Sequence, residues 1–192
     1  MLSALRHLAG RIVGRFLWSP KPLTGNGADV TGHAVESVDG LARPLGDRYP
    51  GQVLLLVNVA SQCGLTPQYK GLVQLDDRFR ARGLAVVAFP ANNFGAQEPG
   101  TNDEIQAFCT IHYGVHFDVF KKISVNGRDI HPLYADLTSE TANGPMGGAI
   151  QWNFTKFLVG RDGRVKARFE PGIAPMSKAV VQAIEQELGA TS

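Results

Sequence analysis

The run VLLLVNVA at residues 53–60 constrains this chain more than any other stretch. Its apolar residues do not alternate with polar ones, so a strand there must be covered on both faces, as a central strand between layers of helices is. A second run of the same kind, LAVVAFP at 84–90, follows a segment with Leu72, Leu75 and Phe79 at helical spacing. Strand, crossover helix and strand of this length make a right-handed parallel unit. Thr66 is expected to cap the helix, with Pro67 in its first turn and Gly83 ending it.

Around this unit the chain is punctuated clearly. HAVESVDG at 33–40 reads as a short strand entering a turn at Asp39-Gly40. TNDEIQAFC carries a capping box, Thr101 with Glu104, and opens a helix running to about His112. FTKFLVGRDGRVKARF reads as an antiparallel hairpin around Asp162-Gly163, and residues 175–188 as a closing helix. The expected fold is α/β, a mixed central sheet flanked by helices, in one domain from residue 33 to 192.

Residues 1–18, MLSALRHLAGRIVGRFLW, are different. Leucine, isoleucine, valine and phenylalanine recur at helical spacing with Arg6, Arg11 and Arg15 between them, a basic amphipathic helix. The arginines break every apolar run too early for a secretory signal. An interfacial membrane contact, a transit peptide or a helix docked on its own domain remain open, so the expected location is the cytoplasm, with a membrane-associated or organelle-targeted alternative. Pro20, Pro22, Gly25, Gly27 and Gly32 then suggest a linker, giving residues 1–32 as helix and linker. A net charge of +2 gives no support to a nucleic-acid partner.

Cys63, in SQCGLTP, follows the central strand directly, at the sheet end where chemistry is usually sited. A lone cysteine is often only a small buried hydrophobe. Here Gly64 keeps the loop lean, and a helix starting near Thr66 would turn its positive end to the sulfur and favour a thiolate. Ionisation alone is a small effect: an ordinary thiol is roughly 3% ionised at neutral pH, so completing it gains only about thirtyfold. If the substrate is a peroxide, the oxygen that leaves also needs preorganised hydrogen-bond donors. Donor-rich segments occur at FPANNFGAQEPG (89–100), IQWNFTKFL (150–158) and NVASQC itself. His112 and His116 are four apart, but Gly114 lies between them and no third ligand is evident, so no metal is expected. No phosphate-binding or dinucleotide-binding glycine pattern appears, so no bound cofactor is expected.

NVASQCGLTPQY, FPANNFGAQEPGTNDEI and QWNFTKFLVGRDG, in this order and spacing, closely resemble the three signature regions of the glutathione peroxidase family, over roughly residues 33–188. The resemblance implies a thioredoxin-like fold and reduction of hydrogen peroxide and organic or lipid hydroperoxides. It identifies Cys63 with the peroxidatic cysteine and Gln97, Trp152 and Asn153 with the rest of a catalytic tetrad, all uncharged donors. Adjacent strand residues face opposite ways, so Trp152 and Asn153 both reach Cys63 only from a strand end or bulge.

Many relatives have a cysteine where this chain has Ala91, which leaves Cys109 as the partner for Cys63. By the resemblance, Cys109 is the resolving cysteine, forming an intramolecular disulfide that thioredoxin or glutathione then reduces. The short segment 131–150 resembles members lacking the insertion associated with tetramers, so a monomer with an open site is expected. Two other functions compete. A thiol–disulfide oxidoreductase would favour a second cysteine three residues after Cys63, where Thr66 stands; a non-enzymatic peroxide sensor or membrane-docked adaptor would use residues 1–18 as its contact.

Overall fold

A computed structural model describes residues 23–189; the basic segment 1–18 lies outside the described residues. The elements are β1 Leu23–Thr24, β2 Ala34–Glu36, β3 Ala42–Pro44, α1 Leu45–Arg48, β4 Val53–Val59, α2 Tyr69–Phe79, β5 Leu84–Pro90, α3 Asn102–Tyr113, β6 Asp118–Val119, α4 Pro132–Leu137, α5 Glu140–Asn143, β7 Lys156–Val159, β8 Val165–Phe169 and α6 Lys178–Gly189. Six strands form one sheet in the order β1-β8-β7-β4-β5-β6, with β2 and β3 a separate hairpin. The β4/β5 and β5/β6 pairs are parallel and the remaining pairs antiparallel. This is the expected mixed, thioredoxin-like sheet.

Both faces of β4 are covered, which is why its sequence does not alternate. Val53, Leu55, Val57 and Val59 join the core under α2, α3 and α6, while Leu54 and Leu56 join the core on the opposite face with Phe89, Tyr134 and Phe157. Each fully buried leucine or valine contributes about 1.5–3 kcal/mol of transfer free energy, so this strand anchors the loop that follows it. Gly83 ends the α2 segment with φ 98°, and Gly163 turns the β7/β8 hairpin with φ 76°. The capping box of α3 is complete: Thr101 Oγ1 accepts the Glu104 N–H at 3.3 Å, and Glu104 Oε2 accepts the Thr101 N–H at 2.8 Å.

Two expectations need correction. The segment read as linker is sewn onto the sheet from Leu23 onward: β1 pairs with β8, the Gly25 and Gly27 N–H groups donate to Lys166 and Val165 at 3.0 and 2.8 Å, and Val30 is buried. Gly27 serves close approach there, since a Cβ would lie 2.1 Å from Asn143 Oδ1. Thr66 does not cap α2. It opens a 3-10 turn, Thr66–Gln68, with no side-chain cap, and its hydroxyl turns back to the loop.

Candidate active site

The β4 strand ends at Val59, and residues 60–66 fold back as a tight loop held by Thr66. Its Oγ1 donates to the Ala60 carbonyl at 2.8 Å and accepts the Cys63 N–H at 3.0 Å, while the Thr66 N–H donates to the Cys63 carbonyl at 3.0 Å. Cys63 is thus tied down on both sides of its Cα, and its side chain is 8% exposed. The Leu65 N–H donates to the sulfur at 3.4 Å, so backbone dipole reaches it although α2 begins only at Tyr69.

Trp152 and Asn153 sit in the turn just before β7, not within the strand, which removes the objection that neighbours must face opposite ways. Asn58, the one polar residue of the β4 run, builds that turn. Its Nδ2 donates to the Trp152 carbonyl at 3.2 Å and its carbonyl accepts the Phe154 N–H at 2.7 Å. Thr155 Oγ1 adds a bond to the Trp152 carbonyl at 3.1 Å. Phe154 is a buried non-glycine residue at φ 68°, a backbone form that persists only where its surroundings impose it. Lys156 supplies part of that restraint. Its Nζ donates to the Phe154 and Ile173 carbonyls at 2.7 and 2.8 Å, and burial lowers its pKa to about 7, opposed by the nearby Glu170 charge. A neutral amine still has the two N–H donors these carbonyls require.

Gln97 comes from the loop after β5. Its carbonyl accepts the Gln62 N–H at 3.0 Å, placing the loop beside the residue preceding Cys63. Asn153, fully buried, donates from Nδ2 to Gln97 Oε1 at 3.0 Å. That bond orients the Gln97 amide so that its own NH2 is not committed to Asn153. The Trp152 ring packs against Phe94, centroids 5.8 Å apart, and joins the apolar clusters on both sheet faces. Gln97 Nε2 and Trp152 Nε1 donate to no group among the described residues. The structure thus joins Gln97 and Asn153 directly and brings the loops that carry Cys63, Gln97 and Trp152 to one end of the sheet, and the two free donors carry no charge. Thr66, Asn58 and Lys156 were missed as parts of this site. Only Asn58 left a signal, as a lone polar residue in an apolar run.

Cys109 lies on α3 and is fully buried; like Cys63, it is a free thiol. Both belong to the apolar cluster on one face of the sheet. Burial pushes the Cys109 thiol up to about 11; the Tyr69 hydroxyl opposes that rise and the Glu98 charge adds to it. His112 and His116 do not come together. The His112 ring packs on Phe108 at 4.9 Å, while His116 Nε2 lies 3.1 Å from Asp76 and 3.0 Å from Asp77. Asp76 is also paired with Arg80, so His116 meets two carboxylates from α2 rather than His112. Clefts of 540 to 580 Å³ elsewhere on the surface are not lined by Cys63.

Comparison with known proteins gives the family. A hydroperoxy fatty acid reductase of Synechocystis is 49% identical over 145 residues, 73% of this chain and 85% of the relative. The thioredoxin/glutathione peroxidase BtuE of Escherichia coli is 43% identical over 173 residues, 80% of this chain and 94% of the relative. The crystal structure of T. cruzi GPX1 matches with TM-score 0.67 at 30% identity, covering 85% of this chain and 98% of that one. The family model described as glutathione peroxidase matches residues 32–138, so this chain belongs to the glutathione peroxidase family.

Proposed function

We propose that this peroxidase reduces hydrogen peroxide and organic or lipid hydroperoxides through Cys63, and that Cys109 resolves the product. The Cys63 thiolate attacks one peroxide oxygen, the O–O bond breaks, and the sulfur becomes a sulfenic acid while the second oxygen leaves as alkoxide or hydroxide. Gln97 Nε2 and Trp152 Nε1, both uncommitted, stabilise that developing charge, and Asn153 holds Gln97 in place. One observation carries the reading: the 3.0 Å bond from Asn153 to Gln97, which turns a buried asparagine into a support for a free donor beside the Cys63 loop. The names of the relatives, a hydroperoxy fatty acid reductase and a thioredoxin/glutathione peroxidase, support an organic hydroperoxide as one substrate and a thiol reductant.

Regeneration then runs through Cys109. Its thiol attacks the Cys63 sulfenic acid, giving an intramolecular disulfide and water, and a thioredoxin-like protein reduces that disulfide. A disulfide requires Cα atoms about 4.4–6.8 Å apart, and a fully buried thiol in mid-helix reaches the Cys63 loop only after α3 opens locally. The test is a coupled assay with NADPH comparing thioredoxin with glutathione. Turnover with thioredoxin that is lost in Cys109→Ser supports the resolving role. Equal turnover of that variant with glutathione and with thioredoxin contradicts it.

A further inference from the structure

Arg168, on β8, is a buried cation that the chemistry above leaves unused. Its side chain is 3% exposed, and its guanidinium grips the segment that leads into Trp152. Nη1 donates to the Gly148 and Gly147 carbonyls at 2.7 and 2.9 Å and, more weakly, to that of Met146 at 3.4 Å, while Nη2 donates to the Ala149 carbonyl at 3.2 Å. Nε lies 2.9 Å from Oε1 of Glu170, a carboxylate buried as deeply, and the guanidinium sits 5.5 Å from the centroid of the Phe157 ring. Burial lowers the Arg168 pKa and raises that of Glu170, and each charge opposes the shift in the other. The gripped segment has little else to fix its path. Residues 147–155 belong to no helix or strand, and Gly144 and Gly148 stand at φ 53° and 90°, conformations that glycine permits without imposing. The planar fork of a guanidinium, with five N–H donors, can serve several carbonyls at once. Trp152 follows three residues after Ala149, and two residues beyond it the Phe154 carbonyl is held by Lys156. The stretch that carries Trp152 is therefore pinned from both sides by buried basic side chains, Arg168 before it and Lys156 after it.

We infer that Arg168, paired with Glu170, is a positioning residue for the peroxidase reaction: by holding the carbonyls of residues 146–149 it sets the Trp152 indole where its N–H meets the leaving oxygen. Arg168 touches no substrate and acts through Trp152. Glu170 keeps the buried guanidinium from standing uncompensated, since removing one partner of a buried pair leaves a costly charge behind. The bonds to the carbonyls, not the charge, do the positioning. Lysine at 168 would keep a cation beside Glu170, but a compact ammonium does not reproduce the fork that spans Gly147, Gly148 and Ala149, so the segment would be left loose.

This inference rests on Trp152 stabilising the leaving oxygen, and the test separates the two. Stopped-flow oxidation of Cys63 by hydrogen peroxide is measured on the full chain in wild type, Arg168→Lys, Arg168→Met, Trp152→Phe and the double variant Arg168→Lys with Trp152→Phe, with the thermal unfolding of each recorded alongside. Arg168→Lys is expected to slow the oxidation about tenfold although it keeps the charge beside Glu170 and the fold, and Arg168→Met to slow it at least as much and to melt at a lower temperature. The double variant is expected to be no slower than Trp152→Phe, because a residue that acts through the indole has nothing to position once the indole N–H is gone. A role confined to stability would lower the melting temperature and leave the rate of the folded protein unchanged. Arg168→Lys stays informative if Arg168→Met fails to fold. Oxidation of Cys63 in Arg168→Lys at the wild-type rate overturns the inference, as does a double variant slower than Trp152→Phe. Oxidation in Trp152→Phe at the wild-type rate overturns the role of Trp152 itself, and this inference with it.

Discussion

Cys63 and Cys109 share one apolar cluster but sit in opposite surroundings. Cys63 lies in a loop whose hydrogen bonds are closed on both sides by Thr66, with a backbone N–H at its sulfur and part of its surface open. Cys109 has no exposed surface, lies inside a helix of 12 residues, and is held as a thiol by burial. The first site gains from rigidity, because donors aimed at a leaving oxygen must be in place before charge develops. Under the proposed mechanism the second depends on release, because a fully buried sulfur must reach the Cys63 loop. A helix of three turns with a left-handed glycine at its end, Gly114 at φ 65°, is a reasonable unit to open without disturbing the sheet.

The contrast breaks most easily at Cys63. Cys63→Ser is expected to abolish peroxide reduction, because a serine hydroxyl is scarcely ionised and forms no sulfenic acid. Stopped-flow consumption of hydrogen peroxide near the wild-type rate would remove Cys63 from the mechanism. Next comes the rigidity of the donors. Trp152→Phe or Gln97→Ala is expected to slow the first oxidation by about 10 to 1,000-fold with the circular dichroism unchanged, the scale of losing one preorganised donor. An unaltered rate in both would mean that the leaving oxygen is stabilised elsewhere.

The release side is sharpened by loosening α3. Thr101→Ala removes the capping box and is expected to destabilise the helix by about 1 kcal/mol, which raises its open population roughly fivefold. Disulfide formation after oxidation should quicken by a similar factor while the first oxidation keeps its rate. A slower disulfide step would mean that an ordered helix, not an opened one, delivers Cys109. The smallest effect concerns residues 1–18. Their deletion is expected to leave turnover of hydrogen peroxide unaltered within about twofold, since every group of the site lies beyond that segment, in loops at one end of a sheet held together by buried apolar surface. Loss of activity would make that segment part of the domain.

Much of this was legible where the signal is local. The unbroken apolar runs of β4 and β5, the Thr101–Glu104 box and the turn at Asp162-Gly163 each carry their meaning within a few residues, and the structure follows them. Gln97, Trp152 and Asn153 do not: each alone is an ordinary loop or core residue, and only the three motifs read together by resemblance pointed to them. Thr66 misled because a threonine before proline looks like a helix cap, whereas its hydroxyl is taken by Ala60 and Cys63. The glycines before residue 32 misled in the same way, since their close contacts with Asn143 and Met146 are visible only once α5 and the turn after it are in place. Asn58 and Lys156 hold partners distant in sequence, and only Asn58, a lone polar residue in an apolar run, left a local mark.

The proposed division of labour between the two cysteines is tested most directly by treating the reduced protein with one equivalent of hydrogen peroxide, trapping free thiols, and mapping the products by mass spectrometry. Wild type is expected to yield one intramolecular Cys63–Cys109 disulfide, and Cys109→Ser to consume the same equivalent, accumulate sulfenic acid at Cys63 and fail to turn over with thioredoxin. A free Cys109 thiol in oxidised wild type, or full thioredoxin-coupled turnover in Cys109→Ser, would contradict it.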